Sequence, residues 1–81
     1  MTAVDSHSER ELDLFTIYEH PKDYPRGYIV RRWVARSTGF SEAREAWATE
    51  TLEDARLIIP DGLFRMEREA DDDPTIVETW L

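Results

Sequence analysis

The sequence predicts a small α+β domain, in which a mostly antiparallel sheet of about three to five strands carries one helix on one face, in the order β-β-(β)-α-β. Three observations lead there. Leu12–Glu19 and Tyr28–Ser37 are dense in β-branched and aromatic residues, as strands are. Thr51–Ile59 repeats apolar residues at spacings of three and four, as a helix does. The length of 81 residues fits one domain rather than two.

Met1–Glu11 is polar, acidic and without periodicity, so residues 1–11 read as a flexible tail and 12–81 as the domain. In Leu12–Glu19, Phe15 and Ile17 share one face while Leu14, Thr16 and Tyr18 share the other. Apolar groups on both faces mark a central strand. His20–Gly27 holds two prolines and a glycine and must be a connecting loop. Along Tyr28–Ser37 both faces carry arginine. Ile29, Trp33 and Ala35 make the more apolar face, and the alternation does not settle which face is buried.

Ser37–Ala43 is turn-rich around Gly39, and Glu45–Thr49 is a short third strand or a helical piece. Thr51 suits a helix N-cap, with Glu53 and Asp54 in the first turn, where carboxylates complement the dipole. Leu52, Ala55, Ile58 and Ile59 form the apolar stripe, and Pro60 with Gly62 ends it. Leu63–Met66 is a brief extended piece and Glu67–Pro74 a solvated acidic loop. Thr75–Leu81 is a final strand, with Ile76 and Trp80 expected on one face and Val77 and Leu81 on the other.

The formal charge of −8 is segregated. Residues 1–25 sum to −4, residues 26–44 to +4 and residues 45–81 to −8. So acidic a chain is poorly suited to phosphate backbones, which need many Lys and Arg contacts. It suits either solubility or occupation of a basic groove on another protein. There is no cysteine, hence no disulfide framework and no thiolate zinc site. No secretory h-region and no apolar run of about 20 residues stands out, so the expectation is a cytoplasmic protein of a bacterial cell without a membrane partner.

Catalytic and metal signals are thin. His7 and His20 lack ligand spacing, and Asp71, Asp72 and Asp73 lack the alternation and glycine of a calcium loop. His20 with Asp23 nearby has no marked nucleophile, and the three glycines form no phosphate loop. Neither a cofactor nor an enzymatic activity is therefore expected. Trp, Tyr and Arg dominate protein interfaces, and they concentrate at Tyr24, Arg31, Arg32 and Trp33. For Arg31 and Arg32 the alternative is pairing with acids on neighbouring strands.

Three segments stand out together: YEHPKDYPRGYIVRRW (18–33), TLEDARLIIP (51–60) and DDPTIVETW (72–80). They resemble a small family of uncharacterised bacterial and phage-borne proteins. That resemblance covers most of the chain beyond the tail and implies no catalytic residue. Phage-borne proteins of this size and acidity include anti-CRISPR inhibitors, among them those of type I-C systems. The expected function is thus a non-enzymatic inhibitor that binds a protein partner, a CRISPR effector subunit being the candidate, without touching nucleic acid itself. Glu67, Glu69, Asp71, Asp72 and Asp73 would face basic partner residues, with Tyr24, Arg31 and Arg32 as a second contact set. The alternatives are a homodimeric domain with a ligand or enzymatic site around His20, Asp23 and the arginines, and a housekeeping domain of another role. A sheet edge would be the natural dimerisation surface.

Overall fold

The computed structural model describes residues 11–36, 39, 41–68 and 73–81. Five strands and one helix follow one another as β1 (Glu11–Glu19), β2 (Tyr28–Arg36), β3 (Ser41–Thr49), α1 (Leu52–Ile58), β4 (Arg65–Glu67) and β5 (Ile76–Trp80). All neighbours in the sheet are antiparallel, in the order β3-β2-β1-β5-β4. This is the expected α+β architecture, with β1 at its centre as its two-sided apolar pattern requires. The expected tail falls on residues 1–10, outside the described residues. Glu11 already belongs to β1, opposite Arg36.

The helix covers one face of the sheet. Phe15 and Ile17 from β1, Val30 from β2 and Ala55 from α1 form the buried core. Tyr28, Trp47, Leu52, Ile58, Ile59, Leu63, Val77 and Trp80 pack around it. Phe15 and Trp47 stack with ring centroids 6.3 Å apart. A seven-residue helix is far too short to hold alone. Its stripe buried on the sheet stabilises it, and Thr51 caps it by accepting the Asp54 N–H at 3.0 Å through its hydroxyl.

Several sequence expectations change. The face of β2 that the alternation left open is settled, with Tyr28, Val30 and Val34 on the helix-bearing side and Ile29, Trp33 and Ala35 on the other. β3 begins at Ser41 and is wholly strand, because pairing with β2 overrides the weak local propensity of its alanines. The brief extended piece after the helix is an edge strand, β4, so Glu67 is a strand residue rather than part of a loop. In β5 a register shift opposite Ile17 and Tyr18 inserts one residue. That bulge turns Val77 to the same core as Trp80 and leaves Ile76 opposite Tyr18 on the other face.

The β1–β2 loop folds back on itself. His20 N–H donates to the Gly27 carbonyl at 2.9 Å and Tyr24 N–H to Pro21 at 3.0 Å. His20 takes φ 51°, a left-handed conformation tolerated in such turns. Gly27 is buried there because a β-carbon would sit 2.4 Å from the Thr49 carbonyl oxygen and 2.5 Å from the Tyr24 ring. Tyr24 is accordingly half-buried, not the exposed loop aromatic that its proline brackets suggest.

Candidate functional site

Strand alternation sorts the charged residues by face. On the helix-bearing face β1 presents Glu11, Asp13 and Glu19, β2 presents Arg32 and Arg36, β3 presents Glu42 and Glu45, β4 presents Arg65 and Glu67, and β5 presents Glu78. On the open face the described strands present one charged side chain, Arg31.

The arginines of the basic segment are largely consumed within the sheet. Arg32 reaches Asp13 at 3.0 Å and Glu45 at 2.8 Å, spanning β1, β2 and β3. Arg36 pairs with Glu11 at 3.0 Å and Glu42 at 3.4 Å. A bulge opposite Arg32 and Trp33 frees Arg44 to join Glu42 at 2.9 Å. Hydrogen bonds from Arg44 and Arg36 hold the Glu42 carboxyl below its ordinary range. Val34, fully buried outside the helix-packed core cluster, lies on this face between Arg32 and Arg36.

A second ion pair fastens the helix to β5. Arg56 donates to Glu78 through Nε at 3.1 Å and Nη2 at 2.9 Å, and the Trp80 indole N–H donates to the same carboxylate at 2.8 Å. Burial on its own raises the Glu78 pKa. The donors from Arg56 and Trp80 and the charges of Arg56 and Arg65 outweigh it, so the carboxyl is held below its ordinary value.

With those acids engaged, the unpaired negative charge lies elsewhere. Glu50, Glu53, Asp54 and Asp61, on the helix and the turns flanking it, and Glu67 on β4 are exposed and have no ion-pair partner among the described residues. The largest group of free acids therefore lies on and beside the helix, with Glu19 at the end of β1, Asp23 in the β1–β2 loop and Asp73 before β5 also exposed and without an ion-pair partner among the described residues.

The open face carries a shallow cavity of about 570 Å³ at the end near the β1–β2 loop. Tyr18, Ile29, Arg31 and Trp33 form its sheet wall, with Pro21, Lys22 and Asp23 on one rim and Asp73 and Thr75 on the other. The Arg31 guanidinium lies 5.8 Å over the centre of the Tyr18 ring, a cation–π contact. Burial pushes the Tyr18 phenol up, with Arg31 and the Trp33 indole opposing. This is the reverse of an activated tyrosine.

The sequence-predicted contact residues do not form one patch. Arg31 and Arg32 stand on opposite faces of the sheet, and Tyr24 is folded against Gly27 in the loop. Arg32 is an ion-pair residue, the structural alternative. Asp73 closes the turn before β5 by accepting the Thr75 N–H at 2.9 Å and its hydroxyl at 2.8 Å. Those bonds lower its pKa. Glu67 is exposed on the β4 edge, and Glu69, Asp71 and Asp72 lie outside the described residues. His20 is exposed, edge-on to Tyr28 at 5.6 Å and outside the cavity, so Asp23 and Arg31 meet there without it.

Sequence reasoning missed the acids of the helix side as a set, although Glu50, Glu53, Asp54 and Asp61 fall within twelve consecutive residues. Among the described residues no cluster of metal-ligating side chains occurs, and no helix is long and apolar enough to cross a membrane. No protein-family model, curated protein or solved structure matches the chain.

Proposed function

We propose that the chain is a non-enzymatic protein-binding module that engages a basic partner surface through the acids of its helix side. The observation that carries this reading is the selective neutralisation just described. Glu11, Asp13, Glu42 and Glu45 of β1 and β3 are tied up by arginines, whereas Glu50, Glu53, Asp54, Asp61 and Glu67 remain available, as do Glu19 and Asp23 at the loop end of β1. A surface of this kind complements the positively charged grooves that hold nucleic acid, and occupying such a groove blocks it by shape and charge. Phage-borne proteins of this size and acidity include anti-CRISPR inhibitors, which makes a CRISPR effector subunit a candidate for the blocked partner. The contact set differs from the sequence expectation, since Arg32 and Asp73 serve the fold.

Capture from a bacterial lysate tests the reading. The tagged wild type is expected to retain a specific basic protein that elutes as salt rises, since exposed charge contacts are screened within about 10 Å at 0.1 M. The triple variant Glu53→Gln, Asp54→Asn, Asp61→Asn is expected to lose it, and Glu42→Gln to keep it. Retention that is indifferent to the triple variant overturns the assignment. A retained protein that belongs to no CRISPR complex removes that candidate and keeps the binding reading.

A further inference from the structure

The cavity on the open face holds a positive charge that the sheet leaves unanswered. Arg32, Arg36, Arg44 and Arg65 each reach a carboxylate. Arg31 is the one strand arginine without a carboxylate partner among the described residues. It is half-buried, and strand alternation sets it between Ile29 and Trp33 on the same face of β2. Tyr18 stands opposite Ile29 on β1, and its ring receives the Arg31 guanidinium at 5.8 Å. A guanidinium in a cation–π contact keeps its N–H donors, which fan out in a rigid plane. The wall of the cavity is thus a cation set among three largely apolar side chains. Both rims are tied to the sheet. The Glu19 N–H donates to the Thr75 carbonyl at 2.7 Å, and the His20 N–H to that of Gly27 at 2.9 Å. Thr75 in turn holds the Asp73 carboxylate through its own N–H and hydroxyl. The volume of about 570 Å³ falls within the range of small-molecule sites.

We infer that this cavity binds a small planar aromatic monocarboxylate, its carboxylate paired with Arg31 and its ring laid against Trp33. Charge selects the class. A single guanidinium offers the two parallel N–H donors that one carboxylate accepts. A phosphate dianion would meet Asp23 and Asp73 on opposite rims, with only Lys22 to offset them, on a chain of formal charge −8. An organic cation, the usual guest of aromatic rings flanked by carboxylates, is opposed by Arg31, which already occupies the Tyr18 ring. The Asp73 carboxylate that such a cation would need is engaged by Thr75. The apolar character of Tyr18, Ile29 and Trp33 selects an aromatic body over a polar one. One ion pair and one ring contact in a shallow site imply a dissociation constant of about 0.1–3 mM for a ligand of about 13 heavy atoms. The cavity is on the face opposite the helix, so binding there is independent of the partner surface proposed above.

An NMR titration of the full chain with indoleacetate is the test. Saturable shifts are expected at the amides of Tyr18, Ile29, Arg31, Trp33 and Thr75 and at the Trp33 indole N–H. Indole-ethanol, which keeps the ring and lacks the charge, is expected to bind about fivefold more weakly or worse, and tryptamine and inorganic phosphate more weakly still. Arg31→Gln is expected to weaken indoleacetate about fivefold or more, and Arg32→Gln, on the other face of the sheet, to leave it within about twofold. Far-UV circular dichroism verifies that each variant is folded, and the ligand series on the wild type decides the matter if Arg31→Gln is not. No saturable shift at these amides up to about 10 mM indoleacetate overturns the proposal. So does equal or tighter binding of indole-ethanol, tryptamine or phosphate, or a folded Arg31→Gln that binds as the wild type does.

Discussion

Replacing Glu78 by glutamine perturbs the one buried charge among the described residues while keeping the side-chain shape. Glu78 is 3% exposed and accepts three hydrogen bonds, two from Arg56 and one from Trp80. Hydrogen bonds to charged groups contribute about 1.5–3 kcal/mol, and an unpartnered buried group costs about 1–3 kcal/mol. The Arg56 side chain is 43% exposed, so water screens part of the pair. The expected loss for Glu78→Gln is therefore about 1–2 kcal/mol, roughly 5–15 °C in Tm for a domain of this size. Its pH dependence has a definite sign. Because folding lowers the Glu78 pKa below its ordinary 4.5, its stabilisation is complete above that value. It is lost as pH falls through the lower folded value. Urea unfolding of wild type and variant at a series of pH values is the assay. The gap is expected to be constant from pH 7 to about 5.5 and to close under acid. A cycle with Arg56→Met is expected to return a coupling of about 0.5–2 kcal/mol. A gap below about 0.5 kcal/mol at pH 7, or one that persists unchanged at pH 2.5, would refute the reasoning.

Gly27→Ala is expected to destabilise by about 1–3 kcal/mol in chemical denaturation, because its β-carbon meets the Thr49 backbone and the Tyr24 ring. Pairing it with Tyr24→Ala should recover only the ring's share. Thr51→Ala removes the helix cap and is expected to cost about 1 kcal/mol, read from the urea midpoint. Arg32→Ala strips the partner from both Asp13 and Glu45. At exposed pairs this is expected to cost about 0.5–1.5 kcal/mol, an effect that shrinks in 1 M salt.

Where the sequence was legible, one local pattern sufficed. The apolar groups on both faces of β1 marked it as the central strand, and the three-and-four spacing of Leu52, Ala55, Ile58 and Ile59 named the buried stripe of the helix. The N-cap at Thr51 followed from its neighbours alone. β2 was not legible because arginine occurs on both of its faces. Its buried face is the one that packs with Phe15, Ile17 and Ala55, contacts across sequence separations no periodicity records. The face of Val77 was hidden for a related reason, since a bulge is set by the partner strand and breaks the period of two on which the reading relied. The candidate site shared this fate. Net charge by segment suggested a basic strip at residues 26–44, but pairing across the sheet removes most of it and relocates the unbalanced charge to the helix side. Neighbours across the open face were invisible for the same reason. Trp33, Leu14, Leu81 and Phe64 become neighbours only through strand order.

The central claim is that the largest group of free acids lies on and beside the helix, Glu11, Asp13, Glu42 and Glu45 being consumed by arginine. An NMR titration of the isotope-labelled protein with a ten-residue lysine peptide measures this directly, at low salt and then at high salt. The expected shifts fall on the amides of Glu50, Glu53, Asp54, Asp61 and Glu67, and they collapse as salt rises. Glu11, Asp13, Glu42 and Glu45 are expected to stay nearly still. Shifts spread evenly over both sets, or centred on the β1–β3 acids, would contradict the account.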